Sequence, residues 1–112
     1  MPTITRLPLL DRYNHAGARR FTMHLALLGA LATGITLTGP LGLVLVVPYG
    51  IALVALFAPL HESTHGTAFA SRAFNRLAAA LCGAAVLVPP RWFQHFHFAH
   101  HRYLGDPVNE PE

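Results

Sequence analysis

An uncharged stretch of forty residues, from Phe21 to Leu60, is the feature that most constrains what this chain can fold into. A membrane-spanning helix needs about 20 mainly apolar residues, so the stretch is long enough for two such helices. Thr38-Gly39-Pro40 interrupts it with residues that end helices and form turns. We therefore expect two spans, at about 22–38 and 41–60, with a bend in the second at Pro48 or Pro59.

The composition also favours a membrane protein. Hydrophobic residues make up 53% of the 112-residue chain and charged residues only 12%, which is too little charge to cover the surface of so small a soluble domain. The same balance excludes an intrinsically disordered chain. All eight basic residues are arginines, scattered singly or in pairs, so the chain has no basic patch of the kind that binds nucleic acid. Cys82, the only cysteine, excludes an internal disulfide and a cysteine-based zinc site, and we expect it to serve packing alone.

Two other interpretations of the uncharged stretch are weaker. Ala30-Leu31-Ala32 resembles a signal-peptidase site, but the polar segment before the stretch is long and the apolar run continues past the site. A buried hairpin of a soluble protein would need more covering chain than the remaining residues supply.

The arginines indicate how the hairpin is oriented. They occur on both sides of the uncharged stretch and are absent from the short turn inside it: Arg6, Arg12, Arg19 and Arg20 precede the stretch, and Arg72, Arg76, Arg91 and Arg102 follow it. Because arginine-rich flanks stay in the cytoplasm, both ends of the hairpin are expected there. The sequence thus predicts an integral, multi-pass membrane protein.

A third apolar stretch, Leu77–Val88, is too short to cross a bilayer and ends at Pro89-Pro90. We expect an interfacial or re-entrant helix over about 73–88. The predicted fold is an all-α membrane protein, with a transmembrane helical hairpin and an interfacial helix that carry two histidine motifs within a single domain, residues 1–112.

Five of the eight histidines fall in these two motifs, HESTH at 61–65 and HFAHH at 97–101. On helices, the spacing in each motif puts its histidines on one face, about 40° to 60° apart. We expect the five imidazoles to converge on one metal site at the cytoplasmic end of the hairpin: His61, His65, His97, His100 and His101. Imidazole suits iron, zinc, copper and nickel, but a catalytic zinc takes about three protein ligands, so five histidines favour two metal ions.

The other three histidines are not expected to be ligands. His95 would point about 160° away from His97 on a helix. His15 and His24 lie outside both motifs, and we expect structural or interfacial roles for them. A lone histidine is most simply an ordinary surface residue, but two motifs that each follow a membrane segment are poorly explained in that way.

The first motif also fits the HExxH pattern of zinc metalloproteases, in which Glu62 would be the general base. So short a pattern occurs often by chance. A protease would use at most one ligand from the second motif and would leave its other histidines without a role, so we treat a membrane zinc protease as an alternative.

Together, the hairpin, HESTHGTAF at 61–69 and RWFQHFHFAHHRYLGDPVNEPE at 91–112 resemble the membrane fatty acid desaturase superfamily, which includes related hydroxylases and carotenoid ketolases. The resemblance implies a non-haem di-iron centre on the cytosolic face, with His61 and His65 as first-box ligands and His97, His100 and His101 as second-box ligands. It implies an oxidoreductase that uses O2 and two electrons to oxidise an unactivated C–H bond of a lipid acyl chain. The implied electron donor is a ferredoxin or a cytochrome b5-type protein.

One feature of the family is missing. Its members carry a third histidine box downstream, whereas this sequence ends at Glu112. We therefore expect an N-terminal fragment that is inactive in isolation; a non-catalytic membrane protein that binds metal or haem is a further alternative.

If the resemblance holds, Glu62 or Asp106 should accept a hydrogen bond from the second ring nitrogen of a ligand histidine. Gly105-Asp106-Pro107 is expected to form the turn that ends the second metal-binding helix. The substrate, the position oxidised and the type of product are left open by the sequence.

Overall fold

The computed structural model describes residues 14–111, which form helices and connecting turns without any strand. The five α-helices are α1 (Asn14–Leu37), α2 (Leu43–Val54), α3 (Phe57–Thr64), α4 (Arg72–Ala85) and α5 (Pro90–Tyr103). The predicted all-α class is therefore confirmed. Arg6 and Arg12, which contribute to the predicted orientation, lie outside the described residues.

Two segments are long and apolar enough to cross a membrane, Asn14–Leu37 and Gly39–Thr64. They pack side by side. The second segment begins with a short 3₁₀ turn, Gly39–Gly42, where the chain reverses direction after α1. A Cβ atom on Gly42 would lie 2.5 Å from the carbonyl oxygen of Ile35, so a glycine is needed where the turn approaches α1. Both segments extend beyond the predicted spans into polar sequence, at Asn14–Arg20 and at His61–Thr64.

The outer faces of the hairpin are apolar and exposed. Large aliphatic side chains point away from the rest of the chain along both segments: Leu25, Leu27, Leu37, Leu43, Val44, Val47, Ile51 and Val54. A soluble protein rarely leaves so continuous an apolar surface in contact with water. The hairpin is therefore suited to contact lipid on its outside, which a buried hairpin of a soluble protein would not do.

The second segment is interrupted between α2 and α3, and Pro59 explains the position. Proline lacks an N–H and its ring crowds the carbonyl four residues earlier, here that of Ala55. The backbone here forms hydrogen bonds that span three residues instead of the usual four, from Leu56 N–H to Leu53 O and from Ala58 N–H to Ala55 O. The Ala52 carbonyl loses its usual helical partner in this way, and it lies 2.7 Å from His24 Nε2 on α1. His24 thus has the structural role expected for it, since it links the two segments.

The end of α3 is fixed by Gly66. Its φ of 69° lies in the left-handed region that glycine adopts readily. Gly66 N–H donates to Ser63 O, and Thr67 N–H donates to Glu62 O, which together form a Schellman motif. The motif stops the helix immediately after His65, so that both histidines of the first motif lie in or next to its last turn.

Helix α4 folds back against α3 and buries one face. The core at this contact includes Leu56, Leu60, Ala79 and Cys82, with Phe93 contributed by α5. Cys82 is 1% exposed, as expected for a packing residue. Helix α4 ends at Ala85, before the predicted 88, because Leu87 adopts a left-handed conformation (φ 59°) ahead of the two prolines.

The axes of α4 and α5 differ in direction by 101°. This bend allows α5 to return towards the end of α3. It is the arrangement that brings the two histidine motifs close together in space.

Candidate metal centre

Four histidines meet where α3 ends and α5 passes it. His61 and His65 are one helical turn apart at the end of α3, and His97 and His101 are one turn apart on α5. One nitrogen from each imidazole can be chosen so that all four lie within 4.8 Å of one another. We call these residues the four-histidine group.

His97 is at the centre of the group. Its Nε2 lies 2.8 Å from His65 Nε2 and 2.9 Å from His101 Nε2. The ring of His61 completes the arrangement, with its centroid 4.4 Å from that of His97 and 4.8 Å from that of His65. Three Nε2 atoms and a fourth imidazole therefore face a common point.

Phe93 explains why α5 presents His97 to α3. It is 6% exposed and packs edge to face on Phe57, with ring centroids 5.1 Å apart. Phe93 also stacks on His97, one turn later, at 5.2 Å and an interplanar angle of 11°. The apolar contact between the helices thus holds the imidazole in place.

The other histidines lie apart from the group. His100, the fifth predicted ligand, is next to His101 but lies over the C-terminal turn, where its Nδ1 is 2.8 Å from Glu110 Oε1. His95 is exposed on α5 and lies outside the group, as the helical geometry predicts. His15 is exposed near the start of α1, and His24 contacts α2.

The electrostatics of the group favour neutral imidazoles. Burial, followed by repulsion from neighbouring histidines, lowers the pKa of His65 and of His97 below the ordinary value of 6.5. Neutral imidazole carries one ring proton and one lone pair. His97 Nε2 can therefore donate a proton to only one of its two close neighbours, and a cation between the lone pairs would satisfy all of the nitrogens at once.

The spacing fits a metal ion. Imidazole nitrogens bind a first-row metal at about 2.1 Å, which puts neighbouring ligand nitrogens about 3 Å apart. The two short distances to His97, 2.8 and 2.9 Å, correspond to this spacing. Four nitrogen ligands suit iron, zinc, copper or nickel, and as a set they are enough for one ion.

Glu62 and Asp106, one of which was expected to accept a hydrogen bond from a ligand histidine, have other partners. Glu62 Oε1 is 3.9 Å from His61 Nδ1, too far for a hydrogen bond, and Glu62 Oε2 accepts instead from the Thr67 hydroxyl at 2.6 Å. Asp106 accepts from the backbone N–H groups of Val108 and Asn109 and so stabilises the expected C-terminal turn. Neither carboxylate accepts from a histidine of the group among the described contacts.

The carboxylate that does approach a histidine is Glu110, which the sequence analysis missed. Its Oε2 accepts from Gly105 N–H at 2.7 Å while its Oε1 faces His100. The only sequence signal was the turn predicted at 105–107, which reverses the chain. The turn's exact geometry, which the sequence does not give, decides which acid reaches the histidine.

Comparison with known proteins identifies one family. The sequence model described as fatty acid desaturase matches residues 36–112, which is more than half of the chain and includes both histidine motifs. No curated protein and no solved structure matches the chain.

Proposed function

Since the chain belongs to the fatty acid desaturase family, we propose that its four-histidine group holds iron in a centre that oxidises a C–H bond of a lipid acyl chain. The observation that carries this proposal is the convergence of four imidazoles from two helices at the end of an apolar hairpin. In a desaturation, the acyl chain loses two hydrogens, and O2 takes up two further electrons and two protons to give two molecules of water. Bound iron would supply this O2 chemistry, which no side chain provides.

In this proposal the ligands are the histidines of both motifs. His61, His65, His97 and His101 hold one iron. The second iron of a di-iron centre needs further donors, and His100 is the nearest available histidine, with its ring centroid 5.8 Å from that of His101. Glu110, which contacts the opposite side of His100, would then fix the orientation of its ring.

The position of the centre suits a lipid substrate. The four-histidine group follows directly on the segment Gly39–Thr64, whose outer face is apolar. An acyl chain can reach this point from the bilayer without passing through water. The arginines on both sides of the hairpin support a cytoplasmic position for this end. There it is accessible to a soluble or membrane-bound electron donor, such as a ferredoxin or a cytochrome b5-type protein.

A zinc protease is less well supported, because the Glu62 carboxylate accepts a hydrogen bond from Thr67 and comes no closer than 3.9 Å to a histidine of the group among the described contacts. Its side chain lines a cleft of about 460 Å³ on the α1 side of α3, together with Arg20 and His24. None of the four histidines lines that cleft. A general base must reach the water bound to the metal, and the bond from Thr67 holds Glu62 away from that position.

The proposal is tested by iron binding and by product analysis. We expect the purified chain to bind iron, and His65→Ala to reduce the amount bound far more than His95→Ala, which changes a histidine of the same chain outside the group. Iron binding that is indifferent to His65→Ala would refute the proposed centre.

The lipids of cells that express the complete gene should then be compared by mass spectrometry, with and without O2 and an added electron donor. Desaturated products lack two hydrogens, whereas hydroxylated products gain one oxygen, so the same assay distinguishes a desaturase from a hydroxylase or ketolase. The cells expressing His65→Ala should contain neither.

A further inference from the structure

The cleft of about 460 Å³ beside Glu62 lies at one end of the hairpin and has three walls, formed by α1, by α3 and by the loop that follows α3. Its volume is within the range of about 300–1,000 Å³ that is usual for small-molecule sites. None of the four-histidine group lines it, so it is separate from the candidate metal centre. We call it the Arg20–Glu62 cleft, after the two oppositely charged residues that line it.

The walls of the Arg20–Glu62 cleft are held in place by contacts within the chain. Gly17 on α1 lies directly against the loop, since a Cβ atom there would collide with the carbonyl oxygen of Ala68. Phe21, one turn further along α1, packs edge to face on Phe69 of the same loop, with ring centroids 6.3 Å apart. The cleft is therefore formed without a ligand, and binding needs little rearrangement.

The position of the cleft along the hairpin indicates what kind of molecule can enter it. Arg20 is the last charged residue before the uncharged stretch, and Glu62 is the first after it. Because the two segments run side by side in opposite directions, both charges lie at the same end, where the polar head groups of a bilayer begin. Deeper in the hairpin, the lining is apolar, at Phe21, Ala58 and Pro59. A molecule with a charged head and an apolar chain matches this order.

The two charges are not neutralised by each other. Arg20 forms no ion pair with any residue between 14 and 111. Glu62 Oε2 accepts from the Thr67 hydroxyl at 2.6 Å, and this bond fixes the carboxylate on its wall, whereas Glu62 Oε1 accepts no hydrogen bond among the described contacts. The cleft thus offers a guanidinium on one wall and a carboxylate oxygen on another. A ligand that carries both an anionic and a cationic group would complement both.

We propose that the Arg20–Glu62 cleft binds the head group of a zwitterionic phospholipid with a primary ammonium, held as a structural lipid and not as a substrate. The planar guanidinium of Arg20 would form paired hydrogen bonds with the phosphate. A primary ammonium has three N–H groups and can donate to Glu62, whereas the quaternary ammonium of choline has none. This assignment goes beyond the proposed function, because the cleft lies apart from the four-histidine group.

The first test varies the lipid and needs no protein variant. The chain is reconstituted with equal amounts of phosphatidylethanolamine, phosphatidylcholine and phosphatidylglycerol that have the same acyl chains, and the retained lipids are quantified by native mass spectrometry. We expect phosphatidylethanolamine to be retained about fivefold or more over phosphatidylcholine, since only the former can donate to Glu62. Phosphatidylglycerol has the phosphate but no ammonium. Equal retention of all three lipids, or retention of phosphatidylglycerol at the level of phosphatidylethanolamine, overturns the proposal.

The second test compares two neighbouring arginines. Arg20→Gln removes the guanidinium of the cleft, and we expect it to lower the retention of phosphatidylethanolamine by about fivefold or more. Arg19→Gln is the matched control, because it removes the same charge from the next residue of α1, which is exposed and does not line the cleft. The control should change retention by less than about twofold. Equal effects of the two variants would show a general attraction of lipid to arginine and would overturn the site.

Glu62→Gln tests the ammonium separately. The amide keeps an oxygen that can accept from Thr67 but loses the negative charge, so this variant should lose the preference for phosphatidylethanolamine over phosphatidylcholine while it retains phosphatidylcholine within about twofold. An unchanged preference would contradict the assigned role of Glu62. Iron binding is measured on the same variants and should stay within about threefold, because none of the four histidines lines the cleft. Loss of lipid selectivity without loss of iron therefore separates this proposal from the proposed function.

Discussion

Replacing His97 tests the four-histidine group at its centre. Its Nε2 makes both short approaches to other imidazole nitrogens of the group, 2.8 Å to His65 Nε2 and 2.9 Å to His101 Nε2. His97→Ala leaves three imidazoles, and three protein ligands still hold a metal in many catalytic sites. We therefore expect weakened binding rather than none. Changes that only disturb a ligand's orientation cost about 10- to 100-fold in affinity, so removal of the ligand itself should cost about 100-fold or more.

The assay is a titration of the metal-free chain with Fe(II) under anaerobic conditions, in competition with a chelator of known affinity. His95→Ala is the matched control, because His95 lies on the same helix, is exposed and belongs to no metal-binding group among residues 14–111. The control should bind iron within about threefold of the unaltered chain. Equal losses in the two variants, or an unaltered affinity in His97→Ala, would refute a site shared between α3 and α5.

Three further predictions follow from individual contacts. Glu62→Gln should leave iron affinity within about threefold in the same titration, because its carboxylate is bonded outside the metal site; loss of binding would contradict this assignment. Asn75→Ala should lower the free energy of unfolding in detergent by about 2–3 kcal/mol, since it leaves buried backbone groups of the 69–71 loop unpaired, whereas the exposed Asn109→Ala should change it little. The lowered pKa values of His65 and His97 mean that the folded chain binds fewer protons than the unfolded chain, so the stability of the metal-free protein should fall as the pH drops below about 6.5. Chemical denaturation at about pH 8 and about pH 5 measures this difference, and higher stability at the lower pH would contradict it.

The hairpin was predictable because its cause is local. Forty uncharged residues with one strong turn signal at Gly39-Pro40 allow few arrangements, and the structure has its 3₁₀ turn at that position. The spacing of the histidines within each motif was informative for the same reason, because residues four apart on a helix share a face. That rule predicts the pairing of His61 with His65 and of His97 with His101.

The position of the second histidine motif relative to the first in space could not be predicted from local patterns in the same way. Whether α5 returns to α3 depends on the turn after α4, where Leu87 adopts an unusual left-handed conformation and the chain bends by 101°. The different position of His100 has a similar origin. On an ideal helix, His100 and His101 lie at about 60° and 40° from His97, on opposite sides of it. In the structure, the C-terminal turn brings Glu110 to His100, and the four-histidine group forms on the side of His101.

Arg72, Arg76 and Arg91 show another limit of sequence reasoning. Scattered along the chain, Arg72, Arg76 and Arg91 form no recognisable patch, and so they were informative only about orientation in the membrane. Folding brings them around one hollow because α4 and α5 both pack near the end of α3. A charge pattern that depends on three packed helices is a property of the tertiary structure.

X-ray absorption spectroscopy of the iron-loaded chain tests the central claim most directly, because imidazole ligands give a characteristic outer-shell scattering pattern. When one iron is bound per chain, the account predicts about four imidazole nitrogens at about 2.1 Å from that iron, and about three in His97→Ala. A spectrum with no more than one imidazole for each bound iron, or one that is identical in His97→Ala, would contradict a metal centre formed jointly by the two histidine motifs.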